Sequence, residues 1–297
     1  MDQMQKKLTV FTPTYNRAYL LPQLYHSLIH QTCKEFIWLV IDDGSTDNTS
    51  DLIKSWIIDN KIEICYVYQS NQGMHGAHNT AYYHCNTPFN TCIDSDDYMP
   101  TNAVERILFH LEQMPQHLAG LVGLDADKAT GAIIGTEIPR ELQEVKLNEL
   151  YQLHGVKGDK KLVLNTSIVK QYPPYPLFQG EKFVPLDYLY LLINQNYSFY
   201  PVNEIFCIVE YQQDGSTKNI LKQYKNNANG FAFSRISRIR YGITFKERFK
   251  NAIHLVSSAI FAKKIDWLFK SDKIFLVFLA VPFGLLLNLF IRYKIRQ

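Results

Sequence analysis

Residues 91–98 have the sequence Thr-Cys-Ile-Asp-Ser-Asp-Asp-Tyr, in which an apolar run leads directly into three carboxylates, Asp94, Asp96 and Asp97. Carboxylates resist burial and repel one another, so an ordinary core would not collect them. A divalent cation such as Mg²⁺ or Mn²⁺ prefers hard oxygen ligands and would offset that repulsion. The alternative is an acidic turn before the helix predicted near Asn102, where carboxylates favour the positive end of the helix dipole.

Short apolar runs alternate with helical patterns over the first hundred residues. Strands are predicted at residues 8–12, 36–41 and 62–68 and immediately before Asp94, with helices between them. The run 36–41 is apolar throughout, as expected for a parallel strand covered on both faces. Asn102 and Glu105 have the spacing of a capping box that would begin the next helix. The alternation predicts an α/β fold with a mostly parallel sheet and right-handed crossovers.

Three polar segments fall just after predicted strands: Thr12–Arg17, Asp42-Asp43 and Asp94–Asp96. Ligands of open α/β sheets bind beyond the carboxyl ends of the strands, so these segments are expected to meet at one edge. The chain contains neither a GxxxxGK[ST] phosphate loop nor a GxGxxG motif after the first strand. Their absence argues against a P-loop NTPase and weakens the case for a dinucleotide-binding fold.

Each side chain at this edge suits a part of a nucleotide ligand. Tyr15 offers an aromatic face to a nucleobase, and Asp43 can accept a hydrogen bond from the ring N–H of a pyrimidine. Asp94 can accept from ribose hydroxyls, Asp96 can bind the metal, and Arg17 can meet a diphosphate. The alternatives are an ordinary turn tyrosine, a capping aspartate and a solvated surface arginine.

Four segments together resemble glycosyltransferase family 2. They are Thr12-Pro-Thr-Tyr-Asn-Arg17, Val40-Ile-Asp-Asp-Gly-Ser-Thr-Asp47, Asn71-Gln-Gly-Met-His-Gly-Ala-His-Asn79 and Ile93-Asp-Ser-Asp-Asp97. They occur in the order and at the spacing of that family and cover roughly residues 7–115, which makes them far more specific than a lone Asp-x-Asp pair.

The resemblance implies a GT-A fold, a nucleotide-sugar donor such as a UDP-sugar, Mn²⁺ or Mg²⁺ as cofactor, and inversion at the anomeric carbon. Matched position by position, it implies that the donor is bound by Thr12, Pro13, Tyr15, Arg17, Asp43, Asn79, Asp94 and Asp96. Asp96 is then the metal ligand, and Asp97 is expected at the start of the following helix. Many members have Arg before the Asn of the third block, where this chain has His78, so the contribution of that position to the diphosphate site stays open.

An inverting transfer needs a carboxylate that deprotonates the acceptor hydroxyl. The family usually supplies the Asp of a Glu-Asp pair that begins a helix after the acceptor segment. Here the corresponding pair is Leu186-Asp187, so Asp187 is the expected base and the preceding Glu is absent. Glu181 is the alternative base, and a helix-capping role for Asp187 is the non-catalytic interpretation.

Charge divides the chain in two. Residues 218–297 contain 16 Lys and Arg against 3 Asp and Glu, a net charge of +13, whereas residues 1–217 carry −10. We therefore expect a GT-A catalytic domain at 1–217 and a basic helical membrane-associating tail at 218–297. Aromatic and aliphatic residues interleave with Arg and Lys over 231–270, a pattern typical of helices on an anionic membrane surface. The aromatic residues accompany long aliphatic runs, so a nucleic-acid partner is not expected.

The uncharged stretch 274–291 is 18 residues long, just enough to span a bilayer. A full span would place the basic cluster Arg292–Arg296 outside, against the positive-inside tendency, if the catalytic domain is cytosolic. A re-entrant or interface-lying helix hairpin is therefore favoured over a span. The polar N-terminus lacks an apolar signal region, and the five cysteines form no Cys-x-x-Cys pair. Both features favour a reducing, cytoplasmic setting.

These features predict an inverting glycosyltransferase on the cytoplasmic face of the cell membrane. Its acceptor would be a lipid-linked saccharide used in capsule, O-antigen or other surface-polysaccharide synthesis. A nucleotidyltransferase and a non-catalytic membrane adaptor that keeps the fold are the alternatives. The sequence predicts neither the sugar nor an oligomeric state.

Overall fold

The computed structural model describes residues 6–212 and 219–296, which form two compact units. The first unit contains the described residues up to Gln72 together with Ala77–Pro173 and Asn196–Gln212. The second unit contains Gly73–Gly76, Pro174–Gln195 and residues 219–296. The expected domain boundary between residues 217 and 218 lies outside the described residues.

Seven strands and eleven α-helices are found in the described ranges. The strands are β1 Leu8–Thr14, β2 Phe36–Asp42, β3 Ile64–Tyr68, β4 Phe89–Cys92, β5 Gly120–Asp127, β6 Lys160–Asn165 and β7 Tyr200–Val209. The helices are α1 Leu21–Ile29, α2 Thr49–Asp59, α3 Met74–His84, α4 Ala103–Gln113, α5 Leu147–Gln152, α6 Thr166–Val169, α7 Asp187–Asn196, α8 Ile220–Asn226, α9 Ala228–Tyr241, α10 Phe245–Ala262 and α11 Ile274–Arg296. A 3₁₀-helix occupies Ile265–Phe269.

All seven strands form one mixed sheet in the order β3-β2-β1-β4-β6-β5-β7. Four of the six strand pairs are parallel, and β6 alone is antiparallel to its neighbours β4 and β5. The expected α/β fold with a mostly parallel sheet is confirmed. Because β1 lies between β2 and β4, the segments that follow these three strands emerge side by side.

Aromatic side chains pack against one face of β1 and β2. Trp38 is fully buried, and its indole N–H donates to the Thr12 hydroxyl on β1 at 3.0 Å. Tyr25 of α1 stacks on Trp56 of α2 with ring centroids 4.2 Å apart. Stacked and edge-on aromatic pairs of this kind contribute about 0.5–1.5 kcal/mol beyond the area they bury. The two helices are thereby held on one face of β1 and β2.

The capping box expected at Asn102 and Glu105 is wrong. Asn102 makes no side-chain bond to the helix it precedes, whereas Gln31 from the end of α1 accepts the Val104 N–H at 3.0 Å. Glu105 accepts a hydrogen bond from the Thr32 hydroxyl instead of reaching back to residue 102. A side chain distant in sequence therefore satisfies the start of α4, which no local pattern could reveal.

Helices α9, α10 and α11 build a separate core in the second unit around Ala232, Leu255, Val256 and Val277. The start of α10 has the cap that α4 lacks. Thr244 accepts the Glu247 N–H at 3.1 Å, and the Glu247 carboxylate accepts the Ile243 N–H at 2.9 Å.

Helix α11 lies directly against α10 along a line of small and polar residues. A Cβ at Gly284 would come within 2.4 Å of the Val256 Cβ, so only glycine permits this approach. The Asn288 amide donates to the Ser257 carbonyl at 3.2 Å. The helix continues through Pro282, so residues 274–291 lie on one uninterrupted helix without a re-entrant turn.

Candidate functional site

Hydrogen bonds join the segment after β1 to the segment after β2. Asn16 adopts a left-handed conformation, with φ of 52°, and its N–H donates to the Ser45 hydroxyl at 2.9 Å. Its side-chain oxygen accepts the Thr46 N–H at 2.7 Å. The Asp43 N–H donates to the Thr14 carbonyl at 2.8 Å. Asn tolerates this region of backbone space better than most residues, which suits it to the turn that presents Tyr15 and Arg17.

The two aspartates that end β2 have different surroundings. Asp42 is fully buried and accepts a hydrogen bond from the Tyr66 hydroxyl at 2.6 Å. Burial of Tyr66, and after it this hydrogen bond, raises the pKa of Tyr66 to about 12. The Oδ1 atom of Asp43 accepts the Gln69 side-chain amide at 2.6 Å and the Gln72 N–H at 2.8 Å. Asp42 therefore has a structural role, and Asp43 is held rigidly at the edge where a base N–H was expected.

Arg17 and Asp96 meet across this edge. The Arg17 Nη1 atom lies 2.9 Å from Asp96 Oδ2, and both side chains are partly exposed. Burial raises the pKa of the Asp96 carboxyl; Arg17 opposes that shift and the charge of Asp94 adds to it. The ring of Tyr15, in the same loop as Arg17, is 49% exposed. The structure thus joins the loop that contains Tyr15 and Arg17 to the segment that contains Asp94 and Asp96, although loop and segment are far apart in sequence.

Asp97 was expected at the start of the next helix, but it does not begin one. It is buried, and its carboxylate accepts the Glu210 N–H at 3.1 Å and faces the Cys207 thiol at 3.7 Å. Burial, followed by the charge of Asp94, raises the pKa of Asp97 to about 7. Helix α4 begins six residues later, at Ala103. Asp97 instead attaches the acidic segment to the end of β7.

A partly buried lysine lies behind the acidic segment. Lys161 on β6 donates to the Cys92 carbonyl at 3.3 Å, and its Nζ lies 3.9 Å from Asp125 Oδ1. Burial alone would lower the pKa of Lys161, but the carboxylates around it, Asp125 foremost and then Asp97 and Asp94, raise that pKa well above its usual value. Sequence reasoning missed this residue, because Lys161 follows a charged turn and looks like its continuation. The available signal was its position directly before the apolar run Leu162–Leu164 of β6.

The carboxylates fit a divalent cation only if a ligand completes the coordination shell. In the described ranges there is no group of three or more His, Cys, Asp or Glu side chains arranged to hold a metal. The charge of Asp94 disfavours the ionised form of Asp96, and a cation would relieve that repulsion. Mg²⁺ and Mn²⁺ sites on nucleotide enzymes commonly use one or two carboxylates together with phosphate oxygens and waters. The donor set fits that arrangement, in which Asp96 would be the protein ligand.

The remaining residues assigned to the donor lie in mixed positions. Thr12 is buried with its hydroxyl bonded to Trp38, so its side chain supports the sheet. Pro13 is half-buried near the end of β1, and Asn79 is half-buried on α3. His78 is buried, with its ring edge-on to Phe11 at a centroid distance of 5.1 Å. His78 therefore packs in the interior of the first unit rather than extending from it.

The second unit holds both base candidates. Asp187 is the first residue of α7, and its Oδ2 atom lies 2.6 Å from the Arg238 guanidinium of α9. The Glu181 carboxylate accepts the Asn229 N–H and the Gly230 N–H, each at 2.8 Å, and the Asn229 side-chain amide at 2.7 Å. Glu181 therefore caps the first turn of α9.

Comparison with known proteins identifies the group to which the first unit belongs. The sequence profile described as "Glycosyl transferase family 2" matches residues 9–162, more than half of the chain. The glycosyltransferase GlyA of Streptococcus pneumoniae is 34% identical over 102 residues. That match covers 34% of this chain and only 14% of GlyA, so it relates this chain to one region of a much longer protein.

Solved structures share the fold over most of the chain. S. aureus TarS 1–349 in complex with UDP-GlcNAc superimposes with a TM-score of 0.61 at 18% identity, covering 90% of this chain and 76% of that one. The mannosyltransferase PcManGT of Pyrobaculum calidifontis, in complex with GDP-Man and Mn²⁺, gives a TM-score of 0.58 at 14% identity over 97% and 88% of the two chains. These likenesses agree with a GT-A fold. With its four sequence blocks and the profile match over residues 9–162, the chain belongs to glycosyltransferase family 2.

Proposed function

We propose that this protein is a metal-dependent, inverting glycosyltransferase that moves a sugar from a UDP-sugar to a lipid-linked saccharide during surface-polysaccharide synthesis. The observation that carries the proposal is the convergence of Arg17 and Asp96, with Tyr15 in the same loop, at the carboxyl edge of β1 and β4. This edge is where ligands of doubly wound sheets bind.

The donor is proposed to lie along this edge. Its base would stack on Tyr15 and donate a ring N–H to Asp43, and its ribose hydroxyls would donate to Asp94. Support comes from the 49% exposure of Tyr15 and from the two hydrogen bonds that hold Asp43 in place. TarS and PcManGT bind nucleotide sugars on the same fold, which also supports a nucleotide-sugar donor here.

Asp96 is the proposed metal ligand, and Arg17 is the proposed diphosphate ligand. Asp96 would hold a divalent cation, which would supply positive charge to the departing diphosphate. Arg17 can hydrogen-bond phosphate oxygens bidentately, which a lysine cannot do. The Mn²⁺ in PcManGT supports a metal-dependent reaction on this fold.

Asp187 is the proposed general base. As the acceptor oxygen forms its bond to the anomeric carbon, the bond from that carbon to the phosphate oxygen breaks and its electron pair leaves with the nucleoside diphosphate. The acceptor proton passes to the Asp187 carboxylate. Glu181 is less suited to this role, because three hydrogen bonds commit its carboxylate to the start of α9.

Helix α11 is the proposed membrane attachment. At 23 residues it is long and apolar enough to cross a bilayer, and most of its surface is exposed. The exposed large side chains include Phe275, Phe278, Leu279, Leu286, Leu289 and Phe290. Because Gly284 and Asn288 hold its other face against α10, we favour a helix that lies in the interface over an isolated span. Anionic lipid would add about 1 kcal/mol for each nearby Lys or Arg, which supports the cytoplasmic face as the proposed location.

The reaction class is tested by following two labels. A panel of UDP-sugars labelled either in the sugar or in the phosphate next to the nucleoside is incubated with the full-length protein, membranes and Mn²⁺. The proposal predicts that only sugar label enters the lipid fraction and that UDP accumulates. Transfer of the phosphate label would identify a nucleotidyltransferase instead. Failure of every donor, together with no measurable UDP binding, would favour a non-catalytic adaptor.

A further inference from the structure

Two arginines on α9, Arg235 and Arg238, carry more positive charge than the nearby carboxylates neutralise. The Asp187 carboxylate pairs with Arg238, with 2.6 Å between Oδ2 and Nη2. Within the part of the chain that the structure describes, no carboxylate lies within 4 Å of the Arg235 guanidinium. Burial, and after it the charge of Arg238, lowers the pKa of Arg235. A guanidinium nevertheless stays protonated in proteins, so its charge persists.

Neutral neighbours offset little of this charge. Arg235 donates to the Asn251 side-chain oxygen at 2.8 Å, a bond to a neutral acceptor. It also lies 5.9 Å from the ring centroids of Tyr224 and Phe231, near the roughly 6 Å limit of a cation–π contact. His254 adds no negative charge, and burial lowers its pKa to about 3, so it is neutral at pH 7.

Unused donors point to a missing acceptor. The Nε–H groups of Arg235 and Arg238 are both buried, and neither has a hydrogen-bond acceptor among residues 6–212 and 219–296. A buried donor without an acceptor costs on the order of 1–3 kcal/mol, and more when it belongs to a charged group. A tetrahedral dianion with several strong acceptor oxygens would satisfy these donors and neutralise the excess charge.

We propose that Arg235 and Arg238 form a binding site for a phosphate group of a substrate. The proposal rests on the proposed glycosyltransferase reaction, in which two substrates can carry such a group: the lipid-linked acceptor and the nucleotide-sugar donor. Phosphate bound to Arg238 would share that guanidinium with Asp187 and weaken the ion pair that occupies Asp187 Oδ2. Arrival of the phosphate would thereby release the carboxylate that is to accept the acceptor proton.

The site is tested with inorganic phosphate as the probe on the full-length protein. Phosphate affinity is measured from thermal unfolding midpoints and from the NMR signals of arginine Nε–H groups. Arg238→Gln should weaken phosphate binding by roughly tenfold or more, since charge-assisted hydrogen bonds are the strong ones. Asp187→Asn should strengthen it, because the competing carboxylate charge is removed. Arg240→Gln is the matched control, since Arg240 lies on the same helix and pairs with Asp272 at 3.6 Å.

Arg235→Gln should also weaken phosphate binding, by roughly tenfold or more. If that variant does not fold, Arg235→Lys, which keeps the charge but loses the planar fork, should reduce affinity without abolishing it. Wild-type phosphate affinity in Arg238→Gln would overturn the proposal. An equal loss in Arg240→Gln would also overturn it, because it would indicate diffuse attraction to a basic surface.

A second arm identifies which substrate carries the phosphate. The titration is repeated in saturating UDP and Mg²⁺. Phosphate binding that persists assigns the site to the acceptor, and binding that disappears assigns it to the donor diphosphate. The proposed function fails independently, if phosphate binds as described while no UDP-sugar donates its sugar. Sugar transfer without Arg238-dependent phosphate binding would contradict the phosphate site alone.

Discussion

The Arg17 guanidinium pairs with the Asp96 carboxylate at 2.9 Å, so the proposed diphosphate ligand neutralises the proposed metal ligand. The pair joins the loop after β1 to the acidic segment after β4, two strands that are neighbours in the sheet. A cation on Asp96 would compete with Arg17 for the carboxylate. Arg17 would then be available to the phosphates that arrive with the metal, so the pair prepares both groups for one ligand.

Replacing Arg17 should separate diphosphate binding from metal binding. Arg17→Gln is expected to weaken UDP binding by roughly tenfold, the effect of losing one charge-assisted contact, and to weaken UMP binding much less. Mn²⁺ alone should bind at least as well as it does to wild type, because a competing positive charge is gone. Calorimetric titration measures all three affinities. Arg140→Gln is the control, since Arg140 is highly exposed and pairs only loosely with Glu137 at 3.7 Å.

Asp187→Asn should abolish sugar transfer while UDP affinity stays at the wild-type value. The amide keeps the shape of the side chain but cannot accept the acceptor proton, and loss of a general base typically costs about 10²–10⁴-fold in rate. Turnover assays and calorimetry on the same preparation check both halves. A variant that retains full activity would remove Asp187 from the mechanism.

Glu181→Gln serves as the comparison for Asp187→Asn. It should lower the free energy of unfolding by about 1.5–3 kcal/mol, because its charged oxygens accept hydrogen bonds at the start of α9. Its turnover per folded molecule should change little. If Glu181→Gln instead abolished turnover without loss of stability, Glu181 would be the base.

The exposed face of α11 should control membrane attachment. Replacing Phe278, Leu286 and Phe290 together with Ser removes side chains that would each contribute about 1.5–3 kcal/mol on burial in lipid. Binding to vesicles containing anionic lipid should fall by roughly a hundredfold or more, measured by flotation. The control replaces three exposed apolar residues of the first unit, Ile58, Tyr83 and Leu153. An equal loss in both variants would show general stickiness rather than a membrane face.

Much of the fold follows from local pattern, because a buried parallel strand must be apolar over its whole length. Residues 36–41 satisfy that condition and form most of β2. The cap of α4 and the contacts of Lys161 could not be predicted in this way. The start of α4 is capped by Gln31, which follows α1 and is distant in sequence. The pKa of Lys161 is raised by Asp125 on β5 and by Asp97 and Asp94 after β4. Such contacts depend on strand order, which local spacing does not encode.

The same distinction applies to the candidate site. The segments after β1, β2 and β4 could be placed at one edge from topology alone, and the structure brings Arg17 and Asp96 together there. The interior position of His78 and the attachment of Asp97 to the Glu210 backbone could not be foreseen. Both depend on which neighbouring strands and helices cover those side chains.

Acid should destabilise the protein through His75. This side chain is 1% exposed, and burial lowers its pKa to about 4, while a nearby Lys182 carbonyl partly opposes the shift. The unfolded chain binds a proton near pH 6.5, so the stabilisation is complete above that pH and is lost as the pH falls towards 4. The loss amounts to at most about 3 kcal/mol. His75→Gln should flatten the dependence of unfolding free energy on pH across this window. His84→Gln, at an exposed position, should leave it unchanged.

Titration calorimetry of UDP with and without Mn²⁺, on wild type and on Asp96→Asn, tests the central claim most directly. The claim is that the edge formed by β1, β2 and β4 binds a nucleoside diphosphate through a metal held by Asp96. Wild type should bind UDP markedly more tightly when Mn²⁺ is present, and Asp96→Asn should lose that enhancement. Asp51→Asn, at an exposed site on α2, should behave as wild type does. Equal UDP affinity with and without Mn²⁺, or an undiminished Mn²⁺ effect in Asp96→Asn, would contradict the claim.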